Sequence, residues 1–346
     1  MSILARNVLL PVFMCVEKNA SRKVGSLLQE KNLKFTRALI VTGKNTLARI
    51  ARKVAGHLPG QAVILTVEES TEKEVETAVR KIDAFGAEVV IGLGGGVALD
   101  VAKCAASEKG VSFISMPTAV SNDGIASPVA VISSGGRTRS LNTHMPVAVV
   151  ADLSIISKSP ARNTRSGVGD LISNLSACAD WRLAYRRKKD QIDDFAETIS
   201  RSSAMRLLTA EKRDITDMNF LKILIEGLIM SGIAMGIQGS SRPSSGAEHM
   251  ISHAMDRLFH LSSTHGEQAG LATLFTLSLH GSDIDEIRRL YRSLRMVREP
   301  ADIGLTKKAF MKAVKLAPST RPGRYSILNE ATPKKIDRAY EKAYNV

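Results

Sequence analysis

The sequence predicts an α/β N-terminal nucleotide-binding domain over residues 1–160 and an all-α C-terminal domain over residues 161–346. Three observations lead to this fold class. A chain of 346 residues is too long for one compact core and suits two domains. In the first half, short apolar runs alternate with helical stretches, which indicates a parallel sheet covered on both faces. Beyond about Pro160 the strand patterns stop and helical periodicity continues.

Apolar runs bounded by turn residues predict the strands of the first domain. These runs span residues 8–16, 38–42, 62–67, 87–92 and 111–116. Amphipathic stretches at 47–58 and 71–85 predict helices between them. Residues 129–149 are typical of a hairpin, and residues 151–153 close the domain.

Helical periodicity dominates the second half of the chain. The predicted helices span residues 171–185 and about 191–208, 213–238, 245–259, 266–280, 282–297 and 306–317. The apolar run at 220–237 contains charged residues and glycines, so a buried helix is favoured over a membrane span. The run at 8–16 is too short and too poorly flanked for a signal peptide.

The composition is that of a folded protein, with 44% hydrophobic and 24% charged residues. A net charge of +14 raises the question of an anionic partner. The basic residues are scattered over helix faces without interleaved aromatics, so we expect no nucleic-acid partner and some attraction of a small anionic substrate or cofactor. The three cysteines lack the spacing of a disulfide framework or a zinc knuckle, which fits a reducing cytoplasm: Cys15, Cys104 and Cys178.

A glycine-rich turn follows the strand at 87–92, with three consecutive glycines at 94–96 before a helical stretch. Such a turn lets the backbone approach a ligand and directs free N–H groups and the helix dipole at an anion, typically a pyrophosphate. The spacing differs from that of the usual dinucleotide fingerprint, so a merely tight turn is the alternative. The small and polar loop at 117–128 also follows a strand, where open α/β sheets bind their ligands; its alternative is a solvated turn.

Four of the seven histidines lie within residues 249–265, and three of them, His249, His253 and His265, are candidates for one site. His249 and His253 are four residues apart and share one face of a predicted helix, and His265 follows. Metal binding is the first hypothesis for this cluster. Asp170 follows a Gly-x-Gly turn, and a carboxylate with two imidazoles is a common Lewis-acid site; a helix-capping aspartate is the alternative.

Six motifs, in this order along nearly the whole chain, resemble the sn-glycerol-1-phosphate dehydrogenase family. They lie at residues 94–103, 117–128, 167–174, 245–253, 265–268 and 321–328. Asn-Asp-Gly-Ile-Ala-Ser-Pro at 122–128 combined with Ser-Gly-Ala-Glu-His at 245–249 is specific within the superfamily of iron-containing alcohol dehydrogenases, glycerol dehydrogenase and dehydroquinate synthase. The resemblance implies a dehydroquinate synthase-like fold with an active site between an NAD(P)-binding domain and a helical domain that binds metal and substrate.

The resemblance also implies site residues. It assigns the metal to Asp170, His249 and His265, with zinc expected and nickel or iron as alternatives. It gives substrate-binding and catalytic roles to Asp123, Asp170 and His253. The cofactor, NAD or NADP, would contact the glycine turn through its pyrophosphate and two further residues through its nicotinamide half: Gly94, Gly95, Gly96, Val97, Ala98, Thr118 and Ser127.

The implied reaction is reversible hydride transfer between NAD(P)H and dihydroxyacetone phosphate, giving sn-glycerol 1-phosphate for phospholipid synthesis. His253 would hold substrate hydroxyls or relay a proton with a pKa tuned near neutrality, unless it is a structural histidine. Three other functions stay open: a polyol dehydrogenase acting on unphosphorylated glycerol, a dehydroquinate-synthase-like cyclase, and a basic binding protein that has lost activity. We expect a homo-oligomer.

One position departs from the family pattern. Val97 stands where family members usually carry a basic residue, which bears on how the cofactor phosphates are held. Glu68 and Glu69 would accept ribose hydroxyls and disfavour a 2′-phosphate. Arg242 and Arg162 are candidates for the substrate phosphate by charge and position.

Overall fold

The structure, a computed structural model, describes residues 10–135 and 137–344. It divides into two compact units. The first contains the described residues up to 120 and residues 124–160, and the second contains residues 121–123 and those from 161 onward. Residues 121–123 are thus grouped with the second unit, although they lie between two strands of the first.

A parallel sheet of six strands forms the first unit, in the order β1-β8-β5-β4-β2-β3. Its strands are β1 (Phe13–Glu17), β2 (Arg37–Thr42), β3 (Gln61–Thr66), β4 (Val89–Gly94), β5 (Ser112–Pro117) and β8 (Ala148–Asp152). An antiparallel hairpin of β6 (Val129–Ser134) and β7 (Arg137–Asn142) stands apart from it. The predicted α/β class is confirmed.

The hairpin is shorter than the sequence predicts. It ends at Asn142, and the last part of the predicted segment forms β8 inside the parallel sheet, beside β1 and β5. All five residues of β8 are buried, which requires a covered position in the sheet and not the edge of a hairpin. For the early strand predicted at 8–16, the structure shows β1; residues 8 and 9 lie outside the described residues.

Helices cover the sheet. They are α1 (Val24–Glu30), α2 (Thr46–Ala55), α3 (Glu72–Phe85), α4 (Gly96–Lys109) and the short α5 (Leu153–Ile156). The side chain of Thr71 caps α3 by accepting from the Glu74 N–H, and Gly86 ends the helix with a φ of 65°. Apolar residues of α1 and α2, such as Leu28 and Val54, form one core with the inner strands.

The described part of the second unit is helical. Its α-helices are α6 (Ala161–Arg186), α7 (Asp194–Leu208), α8 (Met218–Gln238), α9 (Ala247–Leu258), α10 (His265–Leu279), α11 (Asp285–Leu294), α12 (Lys307–Leu316) and α13 (Pro333–Tyr344). The predicted all-α class is confirmed. Helix α13 is not among the predicted helices; its Tyr340 and Tyr344 pack their rings against Phe310 of α12.

The start of α6 differs from the prediction. Residues 167–169 form part of a continuous helix and not a turn, so Asp170 lies inside α6 and is not a helix cap. A Cβ atom on Gly169 would lie 2.1 Å from the carbonyl oxygen of Gly266. Glycine is therefore used here for the close passage of α6 and α10.

Helix α8 is the one described helix that is long and apolar enough to cross a membrane by length and composition. Its apolar window has a mean hydropathy of 1.8, and 67% of that window is buried inside the structure. The helix packs against α6 and α7. Its burial is that of a core helix, as the sequence predicts.

Candidate functional site

Three helices of the second unit bring Asp170, His249 and His265 together. Asp170 lies inside α6, and His249 lies in the first turn of α9. Helix α10 begins at His265, because Thr264 and Glu267 form a capping box that satisfies the N–H groups of Glu267 and Thr264. Gly169 of α6 lies against Gly266 of α10. Asp170 follows Gly169 and His265 precedes Gly266, so this contact brings Asp170 and His265 close together.

The ligand atoms of these three residues converge. Asp170 Oδ1 lies 3.6 Å from His249 Nε2 and 3.7 Å from His265 Nε2. One ligand atom from each residue lies within 4.8 Å of the other two. Carboxylate oxygen and imidazole nitrogen are common ligands of zinc, and three protein ligands leave a position open for a substrate.

Hydrogen bonds on the far side of both rings orient the two histidines. His249 Nδ1 lies 2.9 Å from Oε1 of the buried Glu248. His265 Nδ1 lies 3.3 Å from Ser252 Oγ, which donates to Gln268 Oε1 at 2.8 Å. Both Nδ1 atoms therefore act as donors, and both Nε2 atoms face Asp170. This is the arrangement that metal-binding histidines require.

The two buried carboxylates of the site, Asp170 and Glu248, need positive charge beside them. Burial lowers the pKa of His249, but its contacts with Asp170 and Glu248 outweigh burial and raise that pKa to about 9. Burial raises the pKa of Asp170, but His249 and His265 together lower it. Two buried carboxylates thus depend on positive charge beside them. The residues present fit a divalent metal ion.

Asp123 is placed beside the three converging residues. Its backbone N–H donates to Asp170 Oδ2 at 2.9 Å, which leaves Oδ1 directed at the histidines. Its own carboxylate accepts a hydrogen bond from Ser231 Oγ at 3.0 Å. Asp123 is therefore held within the same site by both backbone and side chain.

His253 lies one turn after His249 on α9, with its ring 6.0 Å from that of His265. Burial lowers its pKa to about 2, and the charges of His265 and Arg321 add to this effect. The ring is therefore neutral, and its Nε2 accepts a hydrogen bond from Arg321 Nη2 at 3.3 Å. The expectation of a pKa near neutrality is not met.

The candidate cofactor residues of the first unit lie around the start of α4. Gly95 precedes α4 without a side-chain cap, and a Cβ atom on Gly95 or Gly96 would meet no atom within 4 Å. A Cβ on Gly94 would lie 2.7 Å from that of Ala98, which explains glycine there. Val97 is 39% exposed. The turn is therefore open to a ligand on the side of Gly95.

Thr118 follows β5 and lies next to this turn, since its N–H donates to the Gly94 carbonyl at 2.9 Å. Ser127 is buried, with its Oγ 3.5 Å from the Val129 carbonyl. Thr118 is thus joined to the glycine turn by a hydrogen bond. The Ser127 hydroxyl instead lies near Val129, the first residue of the hairpin.

The strand order adds a reason for a ligand here. From β2 the chain passes to β3 on one side of the sheet, whereas from β4 it passes to β5 on the other side. The adjacent carboxyl ends of β2 and β4 therefore flank a switch point, where open α/β sheets bind ligands. Gly43 follows β2 there, opposite the glycine turn, and the sequence analysis did not single it out.

Several charged candidates are already paired. Arg162 donates to both carboxylate oxygens of Glu267, and Arg242 pairs with Asp190 at 2.5 Å. Glu68 forms an ion pair with Lys44. The structure instead places two arginines that the sequence analysis did not single out, Arg321 and Arg324, beside His253 and the serines that precede α9.

Comparison with known proteins agrees with these observations. Residues 15–160 match the iron-containing alcohol dehydrogenase family. The chain is 36% identical to glycerol-1-phosphate dehydrogenase [NAD(P)+] of Methanosarcina acetivorans over 95% of its own length and 94% of that protein. It is 37% identical to the protein of the same name from Thermococcus kodakarensis, with 93% and 92% covered.

Solved structures show the same fold. A probable glycerol dehydrogenase from Sinorhizobium meliloti matches with a TM-score of 0.78 and 22% identity, covering 98% of each chain. Glycerol dehydrogenase from Schizosaccharomyces pombe matches with a TM-score of 0.76 and 20% identity, covering 99% of this chain and 91% of that one. From the sequence relatives, the chain belongs to the glycerol-1-phosphate dehydrogenase family.

Proposed function

We propose that the protein is a metal-dependent glycerol-1-phosphate dehydrogenase, which interconverts dihydroxyacetone phosphate and sn-glycerol 1-phosphate with NAD(P)H or NAD(P)+, for phospholipid synthesis. The observation that carries the proposal is the convergence of Asp170 Oδ1 with the Nε2 atoms of His249 and His265. It occurs in a chain whose relatives of that name are similar over most of their length.

Asp170, His249 and His265 would hold one divalent ion, with zinc proposed and nickel or iron as alternatives. When bound, the ion supplies a Lewis acid that polarises a carbonyl and offsets negative charge on its oxygen. The outer hydrogen bonds of both histidines fix the tautomers that leave Nε2 free for this role.

Asp123 and His253 would position the substrate. The carboxylate of Asp123 is fixed next to Asp170 and can accept a hydrogen bond from a substrate hydroxyl. The neutral ring of His253 would orient the substrate from one helical turn beyond His249. In the reduction, the carbonyl carbon gains a hydride from NAD(P)H and its oxygen gains a proton, so the products are sn-glycerol 1-phosphate and NAD(P)+.

The cofactor would lie in the first unit on the turn at 94–98, with Thr118 and Ser127 on its nicotinamide half. The open space beside Gly95 and Gly96, and the switch point between β2 and β4, support this assignment. Val97 offers no positive charge there, so the backbone N–H groups at the start of α4 would hold the pyrophosphate. Both NAD and NADP are proposed.

A cofactor-oxidation assay tests the function. Purified protein loaded with zinc should oxidise NADH or NADPH when given dihydroxyacetone phosphate. Oxidation with unphosphorylated dihydroxyacetone alone would show a polyol dehydrogenase instead. A cyclase that uses its cofactor transiently would give no net oxidation with either substrate, and neither would a protein that only binds anions.

We also propose a cytoplasmic homo-oligomer. The strand β1 is at one edge of the sheet, and exposed apolar side chains occur along it and just before it: Leu10, Val12 and Met14. An exposed apolar edge strand suits pairing with a second copy. Light scattering should give a mass of at least two chains, and Met14→Lys should lower it; a monomeric wild type would disprove the assembly.

A further inference from the structure

A tight turn near the C-terminus brings two arginines side by side. In Arg321-Pro322-Gly323-Arg324, the Arg324 N–H donates to the Arg321 carbonyl at 3.2 Å, and Gly323 has a φ of 83°. Proline followed by glycine with positive φ is the signature of a type II turn. Because such a turn reverses the chain, residues that flank it can present their side chains to one ligand.

Both guanidinium groups contact the same hydroxyl. Arg321 Nη1 and Arg324 Nη2 each donate to Ser241 Oγ at 3.1 Å. Arg324 Nη1 also donates to the Ser245 carbonyl, and Arg321 Nη2 lies 3.3 Å from His253 Nε2. The two arginines and Ser241 thus form one cluster, here called the arginine clamp, directly beside His253.

The clamp is fixed in place by the segment that follows it. The Ile327 N–H donates to Oδ1 of the buried Asp180 at 2.7 Å, and the Tyr325 hydroxyl donates to Glu330 at 2.9 Å. Asp180 also accepts from the Ala247 N–H at the start of α9. The same carboxylate therefore holds both the clamp segment and the helix that carries His249 and His253.

The clamp has positive charge without an ionic partner. Among the described residues, no carboxylate forms an ion pair with Arg321 or Arg324, whereas Arg162 and Arg242 each have one. Burial lowers the pKa of Arg324 to about 9, and the charges of Arg321 and Arg242 add to this effect, while those of Glu248 and Asp190 only partly offset it. Burial also lowers the pKa of Arg321. Two partly buried, adjacent cations are unfavourable unless an anion binds them.

We propose that Arg321 and Arg324, with the hydroxyl of Ser241, bind the phosphate group of the substrate. This inference rests on the proposed function for the identity of the substrate, but not for the binding of an anion. His253 contacts Arg321 on one side and faces His265 on the other, so a substrate can extend from the converging residues of the metal site past His253 to the clamp. The planar guanidinium fork matches phosphate oxygens in a bidentate manner.

The clamp would also determine specificity. A substrate with a phosphate neutralises the two arginines, whereas an unphosphorylated triose leaves them buried and unpaired. Sites of this kind reject analogues that lack the charged group, because the polar groups of the protein lose their partner.

Binding of inorganic phosphate tests the clamp independently of turnover. Calorimetric titration would use the zinc-loaded protein saturated with NADH, so that the proposed pyrophosphate site is filled. Arg321→Gln and Arg324→Gln should each weaken phosphate binding about 10- to 100-fold, the loss of one charged hydrogen-bonding partner. Arg321→Lys should recover part of the affinity. The matched control is Arg289→Gln, which removes an exposed ion pair on α11 and should bind as wild type does.

Kinetics separate failure of the clamp from failure of the proposed function. With dihydroxyacetone phosphate, the clamp variants should raise KM about 10- to 100-fold, whereas the control Arg289→Gln should keep the wild-type KM. If wild type reduces dihydroxyacetone phosphate but both Gln variants keep its KM and its phosphate affinity, the clamp is wrong. If wild type has no such activity but binds phosphate through the clamp, the proposed function is wrong and the anion site stands.

Thermal unfolding excludes a merely structural role. Replacing a purely structural arginine would lower Tm but leave the rise in Tm caused by phosphate unchanged. Added phosphate should raise the Tm of wild type and of Arg289→Gln, because a ligand of the folded state stabilises it. It should raise the Tm of Arg324→Gln much less; equal shifts in all three proteins would place the bound anion elsewhere.

Discussion

Gly169 and Gly266 meet where α6 passes α10, with the place of a Gly169 Cβ atom only 2.1 Å from the Gly266 carbonyl oxygen. Gly266 is equally close to α6, since a Cβ on Gly266 would lie 1.9 Å from the carbonyl oxygen of Ser166. No side chain fits between the two backbones here. Asp170 and His265 are the neighbours of these glycines along the chain, so this contact sets the distance between a carboxylate and an imidazole of the candidate metal site.

Gly169→Ala should therefore damage both stability and metal binding. The added methyl must push α6 from α10, and overpacking of this kind costs about 1–3 kcal/mol. We expect a lower Tm and loss of zinc, measured by thermal unfolding and by metal analysis after dialysis. Gly56→Ala is the control, because a Cβ there meets its nearest atom at an ordinary 3.5 Å. Full zinc content in Gly169→Ala would contradict the role of this contact.

The sequence indicates the residues of this candidate site more directly than it indicates their setting. His249, His253 and His265 form a cluster in the sequence, Asp170 offers a carboxylate beside two imidazoles, and the resemblance assigns the metal to Asp170, His249 and His265. The same Gly-x-Gly pattern before Asp170, however, suggests a turn, because glycine is read locally as a helix breaker. Its actual reason is a neighbouring backbone distant in sequence, Gly266, which no local pattern reveals.

Long-range partners also explain the other differences. Five buried residues of β8 are adjacent in sequence to the hairpin, but only the assembled sheet offers them partners on β1 and β5. The charge of Arg162 and Arg242 is visible in the sequence, yet only the fold shows that Glu267 and Asp190 already pair with them. Arg321 and Arg324 lie in a local pattern, Arg-Pro-Gly-Arg, which predicts a turn but does not reveal that both side chains contact one hydroxyl.

Single histidine replacements should separate metal binding from substrate positioning. His249→Ala and His265→Ala should lose both zinc and turnover, because each removes one of three ligands. His253→Ala should keep its zinc and lose turnover, because its Nε2 accepts from Arg321 and is not one of the three converging ligand atoms. Metal analysis and the cofactor-oxidation assay on the same samples give both quantities. Undiminished activity in His265→Ala would remove the metal assignment, and loss of zinc in His253→Ala would make that residue a ligand.

Glu248 should contribute to metal affinity without touching the ion. Its Oε1 accepts from His249 Nδ1 at 2.9 Å and from the Gly246 N–H at 2.6 Å. Glu248→Gln keeps the shape but removes the charge that makes the imidazole a better ligand, so zinc affinity should fall about 10- to 100-fold. Competition with a chromogenic chelator measures this. Glu226→Gln changes a carboxylate of α8 that pairs with Arg206 of α7, and this variant should keep wild-type zinc affinity. An equal fall in both variants would point to a general effect of charge.

Asp100 should make the first unit less stable as pH rises. Burial raises the pKa of this carboxyl from 3.8 to about 6, although Lys103 and the Val131 N–H partly offset it. The folded state thus holds the proton more tightly than the unfolded state. Its contribution to stability is fully present below pH 3.8, is lost as pH rises toward 6 and is constant above that.

The Asp100→Asn variant has no ionisable side chain at this position, so it should not lose stability in this way as pH rises. Relative to wild type, its free energy of unfolding should improve by about 2 kcal/mol between pH 4 and pH 7.5. Urea titrations of the metal-free and cofactor-free proteins across that range measure the difference, in which all other titrating groups cancel. Asp83→Asn, an exposed change on α3, should follow the wild-type curve. If the curve of Asp100→Asn also runs parallel to that of wild type, the Asp100 carboxyl has no raised pKa in the folded protein.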